Sequence, residues 1–101
     1  MKITDIKSFI VGVNNKNLMV VKVETDKEIY GIGQGGTTTR EKAMAGIIEH
    51  IRHFLIGKDP RRIEDINQEI YRSQYYEGGT LITATTSAID LALWDILGKH
   101  L

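Results

Sequence analysis

Few residues of this 101-residue chain have the type and spacing that chemistry needs. Gly31-Ile32-Gly33-Gln34-Gly35-Gly36 matches G-x-G-x-x-G, the pattern in which backbone N–H groups at a helix N-terminus cradle a dinucleotide pyrophosphate. That chemistry belongs to a βαβ unit. Here the next helix is followed by another helix, and no acidic residue closes a second parallel strand. The run therefore reads as a glycine-rich exit from an edge strand. His50 and His53 sit three apart on a helical segment beside Glu49. Two ligands do not close a metal site, so the pair reads as exposed histidines opposite an apolar face. His100 stands at the chain end without an evident partner. Asp90 and Asp95 are ionisable groups in an otherwise apolar helix. Paired carboxylates can do acid–base work, but five residues apart they diverge by about 140°. Asp95 with Lys99 reads as an i, i+4 ion pair, and Asp90 as a partner for a backbone group or an Arg at an interface. Tyr71, Tyr75 and Tyr76 near Arg72 read as aromatic packing at a helix end. There is no Ser/His/Asp or Cys/His arrangement, so no catalytic and no metal-binding residue is assigned.

The elements that would position these groups follow from periodicity. Strands are expected at about 2–13, 18–25 and 28–34. Phe9, Val11 and Val13 share one face of the first, with Ile6 and Ile10 on the other. Met19, Val21 and Val23 share one face of the second, with Lys22 and Glu24 opposite. The turn at Asn14–Asn17 uses the tolerance of Asn for left-handed backbone, and Asp26-Lys27 makes the next reversal. Short connections give an antiparallel meander. Helices are expected at about 39–56, 60–76 and 80–98. Thr38 with Glu41 forms a capping box for the first, and Gly57 stops it. Asp59 and Pro60 fit the N-cap and first position of the second, and Thr80 can cap the third. Strands first and helices after is an α+β pattern in one domain, with no repeat and no linker.

The third helix organises the chain. Ser87–Lys99 reads S-A-I-D-L-A-L-W-D-I-L-G-K, with apolar residues around nearly the whole circumference. Such a helix is normally buried on every side, and a chain this short can cover only part of it. One side should pack on this chain and the other on a further domain or a second subunit.

Bulk numbers narrow the function classes. The chain is 42% hydrophobic and 26% charged, with 13 basic and 13 acidic residues, which argues against nucleic acid and against a charged tail. The absence of Cys excludes disulfides and thiolate chemistry, and it fits a reducing cytosol. The N-terminal M-K-I-T-D-I-K lacks an apolar signal core, and no apolar run approaches the roughly 20 residues of a membrane span. A cytoplasmic location is the expectation.

Three motifs carry a family resemblance. The Ser87–Lys99 segment resembles the signature helix of the mandelate racemase/muconate-lactonizing branch of the enolase superfamily. G-K-D-P-R-R-I-E-D-I at Gly57–Ile66 and I-Y-G-I-G at Ile29–Gly33 resemble the same branch, in order along the chain. The nearest likeness is to acid-sugar dehydratases of the galactonate type. The resemblance implies an enolase N-terminal domain-like fold over residues 1–101, acting as a capping domain. It also implies that a (β/α)-barrel follows in the parent enzyme and lies outside these residues. In that family Mg²⁺ is held by barrel carboxylates, and a Lys or His base removes the α-proton of a carboxylate substrate. No cofactor site is therefore expected in this chain. What carries over is the lid: the loops at Asn14–Asn17 and Gln34–Thr39 help select substrate, with Asn14, Asn15, Lys16, Gln34 and Thr37 as candidate contacts to a hydroxylated acid. The expected partners are the barrel, or a second copy through residues 87–97, with a sugar acid bound only when the barrel is present. The expected activity of the isolated chain is none. The alternative is a stand-alone, non-enzymatic interaction or oligomerisation module.

Overall fold

The computed structural model describes residues 1–13, 16–35, 41–72 and 80–101. Alternating side chains produce β1 (Ile3–Val13), β2 (Lys16–Thr25) and β3 (Tyr30–Gly35). Apolar residues at helical spacing produce α1 (Glu41–Leu55), α2 (Ile63–Arg72) and α3 (Thr80–His100). The strands pair antiparallel in the order β1-β2-β3, the meander that short connections require. The molecule is an α+β slab only 18 Å through its thinnest dimension, with α1 and α3 on one face of the sheet. The other face carries no helix among the described residues.

The core lies between these layers. Met19, Val21 and Val23 of β2 meet Met44, Ile48, Ile51 and Leu55 of α1 and Ala88, Ile89, Ala92, Leu93 and Ile96 of α3, all buried. β1 contributes Ile3 and Ile6, which strict alternation would put on opposite faces. A bulge between Ile3 and Asp5 turns both inward. The Asp5 carboxylate holds that bulge: it accepts from Ile6 N (2.8 Å) and pairs with Arg52 of α1 (3.1 Å). Beyond Ser8 the β1–β2 hairpin outruns the helices. Ile10 is therefore 43% exposed although it points to the helix-bearing side.

Among the described residues the largest departures from the sequence reading are at four boundaries, the others shifting by a single residue. β2 opens at Lys16, two residues early, because Lys16 and Asn17 pair with Val13 and Gly12. β3 starts at Tyr30 rather than 28, because the Thr25 hydroxyl bonds the carbonyls of Lys27 and Ile29 and holds 26–29 as a wider turn. α2 starts at Ile63 rather than 60. Asp59 caps a β-turn instead of a helix: its carboxylate accepts from Arg61 N (2.9 Å) and its carbonyl from Arg62 N (3.1 Å). Pro60 then sits second in that turn, where its fixed φ also fits. α3 runs through Gly98 to His100. Gly57 does end α1, with φ +93°, and its N–H donates to Ile3 O while Lys58 O accepts from Ile3 N, both at 2.8 Å. The Thr38 half of the capping box, and the expected end of the second helix near 76, fall outside the described residues.

Candidate lid and docking surfaces

The glycine run proves to be a helix seat. Gly31, Gly33 and Gly35 point inward from β3 and lie under Ala84, Ala88 and Ala92 of α3. A Cβ at Gly31 would sit 2.0 Å from Ala92 O, and one at Gly33 would sit 1.9 Å from Ala88 O. No side chain fits between the two backbones, so every second residue of β3 must be Gly. The seam could have been found in the sequence, because Gly at i, i+2, i+4 of a strand matches Ala at i, i+4, i+8 of a helix.

The free edge of β3 is sealed by the same helix. The Asp95 carboxylate accepts from Ile32 N (3.0 Å), and Lys99 Nζ donates to Tyr30 O (2.8 Å). The two side chains pair with each other at 3.1 Å, the i, i+4 bridge read from the sequence. The Ile32 N–H, with Lys99 beside it, holds the Asp95 carboxyl below the usual carboxylate range. Lys99 and Lys22 both approach the Tyr30 ring, 4.3 and 4.6 Å from its centroid. The backbone contacts of Asp95 and Lys99 were not legible in the sequence, because β3 and α3 meet across 63 residues. Among the described residues the partner of Asp90 is Asn67 of α2, whose Nδ2 donates to its carboxylate at 2.9 Å.

The strand ends gather the candidate lid. The end of β1, the start of β2 and the end of β3 all lie at one end of the sheet, since Val13 pairs with Lys16, and Met19 and Val20 pair with Gly35 and Gln34. The strand ends that border residues 14–15 and 36–40 thus lie at the same end of the sheet. Gln34 is exposed on the helix-free face, and Lys16 opens β2. Asn14, Asn15 and Thr37 lie outside the described residues, as do Tyr75 and Tyr76 and the side chains of Tyr71 and Arg72.

The remaining sequence candidates are scattered. His50 and His53 are exposed, and His50 meets Phe54 edge-on at 6.0 Å. His100 does have a neighbour: Arg61 Nη1 lies 3.4 Å from its Nε2. Arg61 chiefly holds Asp59 (2.7 Å), and that contact lowers the Asp59 carboxyl and raises the guanidinium. Among the described residues no three His, Cys, Asp or Glu side chains gather to hold a metal ion.

α3 buries one side and leaves the other open. Ala88, Ile89, Ala92, Leu93 and Ile96 are buried, whereas Leu91 is exposed, Trp94 is 52% exposed and Leu101 is 92% exposed. With Gly98 these residues recur at spacings of three and four and form one stripe. Beside Trp94 and Leu97 an open groove of about 350 Å³ runs to Arg61, Ile63 and the first turn of α2.

Residues 2–101 match the family described as mandelate racemase / muconate lactonizing enzyme, N-terminal domain. The chain belongs to this family. A D-galactonate dehydratase family member from Marinomonas sp. (strain MWYL1) is 44% identical over 100 residues, which span 98% of this chain and 25% of that protein. The D-mannonate dehydratase of Novosphingobium aromaticivorans is 42% identical over 100 residues, again 98% of this chain and 25% of the relative. An enolase from Pantoea ananatis, solved with D-gluconate and Mg bound, superposes with a TM-score of 0.93 at 42% identity, covering 98% of this chain and 24% of that one. An enolase from Agrobacterium radiobacter, solved with sodium and L-malate, gives a TM-score of 0.93 at 28% identity over 99% of this chain and 25% of that one. The three-strand, three-helix order is thus the N-terminal capping fold of the enolase superfamily. The chain spans about a quarter of the length of the curated relatives it matches.

Proposed function

We propose that this chain is the lid and substrate-specificity domain of a Mg²⁺-dependent acid-sugar dehydratase, and that it turns over no substrate by itself. The observation that carries the reading is the position, at one end of the sheet, of the strand ends that border residues 14–15 and 36–40. A polar pair of loops there can close over a hydroxylated acid and choose among epimers by hydrogen bonding, while the reacting groups sit elsewhere. The names of the relatives, and the bound D-gluconate of the Pantoea structure, support the substrate class. The Leu91–Trp94–Leu101 stripe is the surface that would rest on the barrel.

The test joins this chain to the remaining three quarters of the Marinomonas relative. The chain alone, with Mg²⁺ and D-galactonate, D-gluconate or D-mannonate, should consume none of them. The joined protein should dehydrate at least one, with loss of the C2 proton and the C3 hydroxyl. Gln34→Ala and Asn15→Ala should then raise KM or reorder the substrates while leaving kcat within a few-fold. Unchanged selectivity after both substitutions removes the lid reading. The alternative, a stand-alone interaction module, rests on the same stripe. It is favoured if the joined protein is folded, binds Mg²⁺ and remains inert towards all three acids.

A further inference from the structure

We propose that the outer edge of β1 pairs with the same edge of a second copy, antiparallel about a two-fold axis through Ile10, to make a continuous six-stranded sheet. The hydrogen-bond parity of the sheet identifies the edge. Ile32 N and Tyr30 O point away from β2, since Asp95 and Lys99 bond them from outside. Lys22, opposite Ile32, therefore turns its backbone groups toward β1, where it faces Lys7. It follows that Lys7, Phe9 and Val11 bond to β2, and Ile6, Ser8, Ile10 and Gly12 turn their N–H and C=O groups outward.

The outward groups differ along the strand. Ile3 is tied to Gly57 and Lys58, and Ile6 N is taken by the Asp5 carboxylate. Ser8, Ile10 and Gly12 are bonded by no described residue. β3 is sealed by two charged side chains, yet this part of β1 carries no charge, Pro or bulge, the usual protections of an edge.

The stretch is also self-complementary. With Ile10 opposite its own copy, Ser8 faces Gly12, and six N–H···O=C bonds close between the outward groups of these residues. Phe9 then faces Val11 on the helix-free side, twice, as close apolar cross-strand pairs; both residues are exposed in the single chain. On the other side Ile10, 43% exposed, shows that no helix overhangs the axis and that a second strand has room. A backbone ladder demands an extended segment as its occupant, and this matching of Ser8 to Gly12 and Phe9 to Val11 selects the same segment of another copy.

The test is made on the full chain. Sedimentation should show a mass rising with concentration to twice 11.4 kDa. Amide exchange at Ser8, Ile10 and Gly12 should slow with that rise, while Phe9 and Val11, already bonded to β2, should not change. Ile10→Lys puts two like charges on the axis and should leave a folded monomer, whereas Trp94→Lys should still dimerise. Under mild oxidation Ile10→Cys should cross-link to itself and Ser8→Cys should not, because only the axial residue meets its own copy. The proposal is overturned by a mass that stays at one chain, by loss of the dimer in Trp94→Lys alone, or by equal cross-linking at both positions. Should Ile10→Lys fail to fold, the exchange rates of the unaltered chain decide the matter.

Discussion

A methyl group at position 33 would lie 1.9 Å from the carbonyl oxygen of Ala88, and backbone cannot step aside as a flexible side chain can. Gly33→Ala should therefore force α3 off the sheet and lower stability by more than about 2 kcal/mol, read as a shift of the urea midpoint. Gly98→Ala is the matched control. It lies in the same helix with nothing within 4 Å of the new methyl, and it should raise stability by about 0.5–1 kcal/mol. Charged residues make the second prediction at this scale. Asp95, Asp26 and Asp59 are all held below the ordinary carboxylate range, by Ile32 N, Lys2 N and Arg61 respectively. A carboxyl depressed in the folded state contributes stability that is complete above its unfolded pKa of about 3.9 and is lost as pH falls through the lower folded value. The urea midpoint should be flat from pH 7 to about 5 and should fall below about 4. Asp95→Asn should reduce the size of that fall. All three carboxylates reach water, so each contribution is small.

At the scale of the element, α3 contains two kinds of apolar position that look alike in the sequence. Leu93 is buried and Trp94 is 52% exposed. Leu93→Ala should cost about 2–5 kcal/mol and Trp94→Ala less than about 1 kcal/mol, compared by thermal unfolding of the two variants. The apolar circumference of this helix was readable from Ala88 to Leu97, and so was the conclusion that the chain covers only part of it. Which part was not readable, because it depends on the glycine seat in β3, far away in the chain. The strands were legible wherever alternation was strict, as at Met19, Val21 and Val23. The bulge at Ile3–Asp5 was not, since a single inserted residue leaves no mark on a short pattern. Asp59-Pro60 misled for a related reason: the same pair suits a helix start and a β-turn, and the folded-back Arg61 side chain chose the turn. Of the candidate lid residues, Gln34 lies exposed near the end of β3. The placing of the strand ends that border 14–15 and 36–40 at one end of the sheet is a product of the meander, not of any motif.

At the scale of the whole molecule, an 18 Å slab with one sheet face free of helices among the described residues and an open helical stripe exposes apolar area on two sides. Surfaces of this kind mark sites of association. The single Trp of the chain lies in the stripe and reports on it directly. In the isolated chain Trp94 emission should be that of a water-exposed indole. Joining the remaining three quarters of the Marinomonas relative should move it to the blue and protect it from acrylamide quenching. Unchanged emission in a folded joined protein would place the contact elsewhere.

The contact of β3 with α3 has a mechanical consequence. Ordinary helix–sheet joints are cushioned by side chains that change rotamer under load, and this one has backbone against backbone from Gly31 to Gly33. A force applied to the Leu91–Trp94 side of the rod has nothing soft to compress on its way to the glycine strand. The rod and the strand tip that bears Gln34 must tilt as one stiff lever.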